Sequence, residues 1–260
     1  MTSVVAAAAV YQQAAFDVRF DWGAEGAAAI SQGAGVVVVV DVLSFTTTLS
    51  VAADHGIQVF PYRMRDASAA AFAASRGAVL AVGRSEAGPA GVSLSPLSVR
   101  AAAEADGPLM RSRKLVLPSP NGSAIAKSMA EGGTTVIGAC LRNAPAVARW
   151  IDKHSDGRPV AVVAAGERWP GDVLRPAVED LWGAGAVIAA LKGRRDSSPE
   201  AAAAAAAYRD VAPRLASSLR ACASGRELTD DGYAGEIDVA GEVGQSATVP
   251  VLQGEYFLTA

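Results

Sequence analysis

Five consecutive valines, Val36 to Val40, form the most apolar run of this chain, and they end on a carboxylate, Asp41. A run this short, β-branched throughout and without a polar position, fits a strand buried on both faces, and such strands sit in largely parallel sheets covered by helices. The following residues, Val42-Leu43-Ser44-Phe45-Thr46-Thr47-Thr48-Leu49, change directly to helical spacing. In open α/β sheets ligands collect just beyond the carboxyl ends of strands, so a strand, an acid and a hydroxyl-rich helix start together suggest a site for a metal and an anion. The same residues also suit a plainer arrangement, in which Asp41 ends the strand and Ser44 or Thr46 caps the helix.

The pattern repeats along the chain. Further Val- and Ile-rich strands are expected at Ile57 to Pro61, Ala78 to Val82, Lys114 to Leu117, Thr134 to Ile137, Val160 to Val163 and Thr248 to Val251, with helices starting near Ser44, Arg65, Gly122, Asn143 and Ala177. Strands alternating with Ala-rich helices predict a three-layer α/β/α fold around a mostly parallel sheet. Phe16 to Phe20 alternates apolar and polar residues, which predicts a half-exposed edge strand, antiparallel to its neighbour, and makes the sheet mixed. Ser198-Pro199-Glu200 ahead of seven alanines supplies a cap, a first-turn proline and an acid at the positive helix end. Pro213 interrupts that helix, and Gly225 is expected to end the segment after it. No linker marks a boundary, so residues 1–260 are read as one domain.

Composition narrows the partners. A chain of 260 residues buries roughly three quarters of its unfolded surface and needs no covalent staple. Cys140 and Cys222 stand far apart with no zinc-ligand spacing, consistent with a reducing, cytoplasmic setting and with two small buried side chains. With 23 basic and 26 acidic residues the formal charge is −3, which gives no electrostatic reason to bind nucleic acid. The apolar opening Met1 to Val10 lacks a basic start and is too short to span a bilayer, so no membrane attachment is expected. The expected partner is a small soluble molecule, with a homodimer as the default assembly.

Polar groups gather where predicted strands hand over to helices. Besides Asp41, Ser44, Thr46 and Thr47, there are Gly83-Arg84-Ser85-Glu86 and Pro118-Ser119-Pro120-Asn121-Gly122-Ser123. In the latter, Asn121 is placed to cap and Gly122 to permit close approach, so free amide groups could hold an oxyanion; an ordinary proline turn before a capped helix has the same look. Past Val163 come Gly166-Glu167-Arg168-Trp169 and then Glu179-Asp180 at a helix head. These two acids suit the helix dipole, and they are also the best candidates to join Asp41 around magnesium, which takes one or two carboxylates and completes its shell with water and substrate oxygens. Arg142 and Asn143 form a weaker cluster, with Arg142 expected at the solvated surface.

Several chemistries are excluded. There is no G-x-x-x-x-G-K-S/T loop, no G-x-G-x-x-G after a strand and no G-x-S-x-G elbow. His55 and His154 lie at a helix end and in a polar turn, which disfavours a His-activated nucleophile. A haloacid-dehalogenase-type phosphatase requires a second Asp two residues after the first, where Leu43 stands.

Taken in order, Phe20-Asp21-Trp22-Gly23, Val38-Val39-Val40-Asp41-Val42-Leu43 with Thr46-Thr47, Pro120-Asn121-Gly122-Ser123, Asn143-Ala144, Gly166-Glu167-Arg168, Glu179-Asp180-Leu181 with Gly183-Ala184-Gly185, and the C-terminal Gly232-Tyr233, Glu236-Ile237-Asp238 and Val249-Pro250-Val251 resemble the 2-phosphosulfolactate phosphatase (ComB-like) family over nearly the whole chain. The resemblance implies a magnesium-dependent phosphatase that removes phosphate from 2-phospho-3-sulfolactate for coenzyme M synthesis. On that basis Asp41, Glu179 and Asp180 are the expected catalytic and metal-holding acids. Ser44, Thr46, Thr47, Arg84, Asn121, Gly122, Ser123, Asn143, Glu167 and Arg168 are the expected substrate-binding residues. Arg84 or Arg168 would orient the sulfonate or carboxylate. The chain departs from the family pattern where Ser44 replaces an Arg, Arg84 a Glu and Ser93 an Asp. These exchanges admit a related phosphorylated hydroxy acid as substrate, or, as an alternative, a non-catalytic protein of the same fold that binds an anionic metabolite.

Overall fold

A computed structural model describes residues 9–64, 66–88, 91–130, 133–192 and 196–260. Among these, nine strands form one sheet, built as two parallel blocks joined through a central hairpin. One parallel block consists of β1 (Val18–Trp22), β7 (Val160–Ala164), β2 (Val36–Val40) and β6 (Thr135–Ala139). A second consists of β3 (Gln58–Tyr62), β5 (Lys114–Pro118) and β4 (Val79–Leu80). Between them lies an antiparallel hairpin, β10 (Pro250–Gln253) and β11 (Tyr256–Thr259), bonded to β6 on one side and β3 on the other. The short pair β8 (Glu167–Arg168) and β9 (Leu174–Arg175) stands apart as a second sheet.

The five valines of β2 occupy the middle of the first block and are fully buried, with their side chains alternating between two cores. Val36, Val38 and Val40 share one core with α7 (Ala144–His154), α8 (Val178–Ala190) and α9 (Pro199–Val211). Val37 and Val39 share the other with α1 (Gly23–Ile30), α2 (Phe45–Asp54) and α6 (Gly122–Ala130). Helices thus cover both faces, giving the three layers expected of such a strand.

Local signals set most helix starts. Ser198 Oγ accepts from Ala201 N at 3.0 Å, with Pro199 in the first turn of α9. The helix α3 (Ala67–Arg76) begins two residues after the expected start and is capped by Asp66; Arg65 itself lies outside the described residues, as do residues 1–8 of the apolar opening. Pro213 falls in a short 3-10 segment between α9 and α10 (Leu215–Ala221).

Three expectations need correction. The first strand is at the edge, but it pairs parallel to β7. Its polar residue Arg19 is buried rather than solvated, donating to Ile30 O at 3.1 Å and Gln32 O at 2.8 Å, so the alternation reflected an internal hydrogen-bonding side chain. Gly225 does not end a helix. It lies inside α11 (Ala223–Asp230), and the break falls at Cys222, whose extended backbone separates α10 from α11. Arg142 is buried, with Nε, Nη1 and Nη2 bonded to Glu242, Ser50 and Asp54. This network ties α2 to the segment leading into β10.

Helix α8 approaches α9 through Gly185, where a Cβ would lie 2.1 Å from the carbonyl oxygen of Ala204. That atom belongs to a helix backbone and cannot give way. Gly185→Ala is therefore expected to destabilise the fold by about 2 to 3 kcal/mol, read as a lower denaturation midpoint with unchanged slope; an unchanged midpoint would show that the two helices can separate freely.

Candidate functional site

Asp41 follows β2 and its carboxylate joins two helix starts. One oxygen accepts from Phe45 N, in the first turn of α2, and the other from Gly122 N, at the start of α6, both at 3.0 Å. Unpaired amides at a helix start attract negative charge, so the anion that α6 holds is Asp41 itself. Gly122 permits this approach, because a Cβ there would lie 2.4 Å from the Phe45 ring and 2.7 Å from Asp41 Oδ2. Asp180, near the start of α8, repeats the device by accepting from Val42 N at 2.7 Å and Gly166 N at 2.8 Å. The two aspartates thus pin the β2–α2 turn to three other segments. Within that turn the Leu43–Ser44 peptide bond is cis.

A cleft of about 110 Å³ opens beside Asp41, bordered by Ser44, Phe45, Arg84, Ser119, Asn121 and Glu167 among others. Of the residues expected from sequence, Asp41, Ser44, Arg84, Asn121 and Glu167 meet here. Asn121 Nδ2 donates to Glu167 Oε2 at 3.0 Å, while its Oδ1 accepts from Arg168 Nε at 3.1 Å. Arg168 does not line this cleft. It pairs with Asp172 at 2.9 Å and faces an adjoining cavity of about 300 Å³ that shares Asn121 and Glu167.

Other expected substrate contacts have structural partners instead. Thr46 Oγ1 donates to Asp41 O at 2.7 Å and accepts from Asp41 N at 2.9 Å, and Thr47 Oγ1 donates to Val42 O at 2.7 Å. Both hydroxyls hold the turn that presents Asp41. Ser123 Oγ donates to Leu117 O at 3.0 Å. Asn143 is fully buried, accepts from Cys140 N at 2.8 Å and donates to Gly138 O and Thr248 O. A hydroxyl or amide just after a strand can serve its own turn as readily as a ligand, and all four side chains carry such backbone bonds here.

Glu236 does not line the cleft but holds Arg84, which does, and sequence reasoning missed it as a site residue. It lies on α12 (Ala234–Ala240), is only 2% exposed, and accepts from Arg84 Nε and Nη2 at 2.5 to 3.0 Å. No spacing rule links residues so far apart; the Glu236-Ile237-Asp238 stretch that resembles the family was the available signal.

Electrostatically the site is an acidic cluster. Burial pushes Asp41 up to about 6, with the charge of Glu179 adding to the effect and the amides of Phe45 and Gly122 opposing it. Glu167 is pushed up to about 7 by burial and then by Asp41. Asp180 is raised well above its usual value by burial, then by Asp41 and Glu179. Burial and the Glu179 charge push the Cys222 thiol up to about 12, which makes it a poor nucleophile. Such a cluster suits a cation, although among the described residues no three His, Cys, Asp or Glu side chains are grouped to hold one. Glu179 and Asp180 are buried and do not line the cleft; Asp41 and Glu167 do.

The shifts carry a sign. Asp41 and Glu167 bind protons more tightly in the folded chain than in the unfolded one, so stability falls as pH rises between about pH 4 and 7. Without divalent cations, the melting temperature is expected to be several degrees higher at about pH 5 than at about pH 8. The opposite order in a thermal scan would show that these acids are not strained by burial.

Among the described residues no helix is long and apolar enough to cross a membrane. The family model for 2-phosphosulpholactate phosphatase matches residues 25–255. A 2-phosphosulfolactate phosphatase from Methanothermobacter thermautotrophicus (strain Delta H) is 29% identical over 221 residues, covering 85% of this chain and 88% of the relative. The matched span runs from α1 into the β10–β11 hairpin and takes in Asp41, Arg84, Asn121, Glu167, Asp180 and Glu236, and the chain belongs to the 2-phosphosulpholactate phosphatase family.

Proposed function

We propose that the chain hydrolyses the phosphate monoester of 2-phospho-3-sulfolactate or a closely related phosphorylated hydroxy acid, using magnesium. Family membership supports the reaction, and the observation that carries it to this cleft is the pair of lining acids, Asp41 and Glu167, whose protonation is shifted toward neutrality. Hydrolysis replaces the ester P–O bond by a bond to a water oxygen, and the departing alkoxide must gain a proton. Glu167 lies in the cleft and retains a proton near neutral pH, which suits it to supply that proton. Asn121 fixes the Glu167 side chain by its hydrogen bond.

The donor chemistry fits magnesium. Two cleft-lining carboxylates with further buried acids behind them form a hard, oxygen-rich, net negative site, and magnesium needs only one or two protein carboxylates. Asp41 is the proposed holder, in place of the Asp41, Glu179 and Asp180 set expected from sequence, and Glu167 keeps the proton-supplying role. Neither Glu179 nor Asp180 lines the cleft, and Glu179 stands beside Cys222. The bound ion would neutralise charge on the phosphoryl oxygens. Glu179 and Asp180 would then tune the site from behind.

Purified protein is expected to release inorganic phosphate from 2-phospho-3-sulfolactate with magnesium and to stop on chelation. Asp41→Asn should abolish turnover, and Glu167→Gln should lower kcat roughly hundredfold or more. Magnesium should also raise the melting temperature more at about pH 8 than at about pH 5, where the acids are protonated. Absence of phosphate release from this and related phosphorylated hydroxy acids, with magnesium present, would overturn the assignment.

A further inference from the structure

A substrate of the proposed class carries, besides its phosphate, at least one anionic group, a carboxylate, a sulfonate or both, that does not react. Something must recognise it. Among the described residues bordering the cleft Arg84 is the only cation, because Arg168 is turned outward to Asp172 and the adjoining cavity. The Arg84 guanidinium is held along one edge. Nε donates to both Glu236 oxygens, and Nη2 donates to Glu236 Oε2 and to Ser44 Oγ at 2.9 Å. Ser44 Oγ in turn donates to Leu94 O at 3.2 Å, so its lone pairs face the arginine. The Tyr233 ring lies 5.5 Å from the guanidinium carbon. Nη1, with two N–H groups, has no hydrogen-bond partner among the described residues. A planar cation gripped on one edge and open on the other is built to receive a planar or tetrahedral oxyanion in a fixed orientation.

We infer that Arg84 binds the non-reacting anionic group of the substrate, and that Glu236 and Ser44 are positioning residues holding its guanidinium for that task. This rests on the function proposed above and assigns the part of the cleft that distinguishes an acid-bearing phosphomonoester from a simple one. Glu236 already balances the arginine's charge, so recognition comes from directed hydrogen bonds more than from a free positive field. Lysine, a point charge without the fork, cannot serve both Glu236 and the ligand.

The test compares kcat/KM on 2-phospho-3-sulfolactate with kcat/KM on ethyl phosphate, which lacks the second anion. Arg84→Lys and Arg84→Met are expected to lose roughly tenfold to hundredfold more on the first substrate than on the second, mainly through KM. Glu236→Gln should shift the same ratio in the same direction. In the Arg84→Met background it should shift the ratio no further, because its effect passes through the arginine. The double variant also removes both charges together, so a folding failure caused by a stranded Glu236 does not obscure the result. Equal losses on both substrates, or a further change in the ratio on adding Glu236→Gln to Arg84→Met, would overturn the inference. Calorimetric binding of 3-sulfolactate, expected to weaken in the double variant, separates this outcome from failure of the hydrolase assignment. A wild-type protein that turns over neither ester but binds 3-sulfolactate through Arg84 refutes only the hydrolase assignment, while unchanged binding in the double variant refutes the role of Arg84.

Discussion

The site depends on one carboxylate bonded to two helix starts. Asp41 receives amides from α2, which follows it directly, and from α6, far along the chain, and it is buried while doing so. Those amides alone would stabilise the ionised form, yet burial and the neighbouring acids outweigh them. The acid is therefore oriented firmly by the backbone and at the same time held in an unfavourable charge environment. Orientation and reactivity come from separate sources, so a bound cation can relieve the second without disturbing the first.

Asp180 supplies the complementary anchor. Its two oxygens take Val42 N and Gly166 N, joining the turn after β2 to the loop after β7, and the adjacent Glu167 is thereby brought to the cleft. Thr46 and Thr47 close the same turn with side-chain bonds to the backbone. Among the described residues Thr48 Oγ1 is the one buried side-chain polar atom without a hydrogen-bond partner, so the polar groups beneath the cleft are committed to one another. What stays uncommitted is concentrated at the rim.

Legibility from sequence followed the range of the forces involved. The valine run announced a doubly buried strand, and caps such as Ser198 marked helix starts, because these signals lie within a few residues of one another. The clustering of Asp41, Asn121 and Glu167 followed from the general placement of ligands beyond strand ends. Partner choice for side chains did not. Thr46, Thr47, Ser123 and Asn143 carry hydroxyls and amides suited to a ligand, and only the folded geometry shows them bonded to nearby backbone. Arg142 looked like a surface charge because its acids, Asp54 and Glu242, are distant in sequence. The pairing of Glu236 with Arg84 was hidden for the same reason. The edge strand's direction was misjudged because Arg19 made an internal position look solvated.

The position of the β10–β11 hairpin bears on how this protein comes together. Residues 250–259 lie between β6 and β3, so the two parallel blocks share no direct strand pairing. During synthesis both blocks emerge well before the ribbon that bridges them, leaving each with an open edge until it arrives. A nascent chain paused short of that point would expose two unpaired strand rims, the kind of surface that chaperones cover and that neighbouring chains can mispair with. Closure of the central seam is thus a late and long-range event, with loop-closure entropy to overcome before the final strand pairs form.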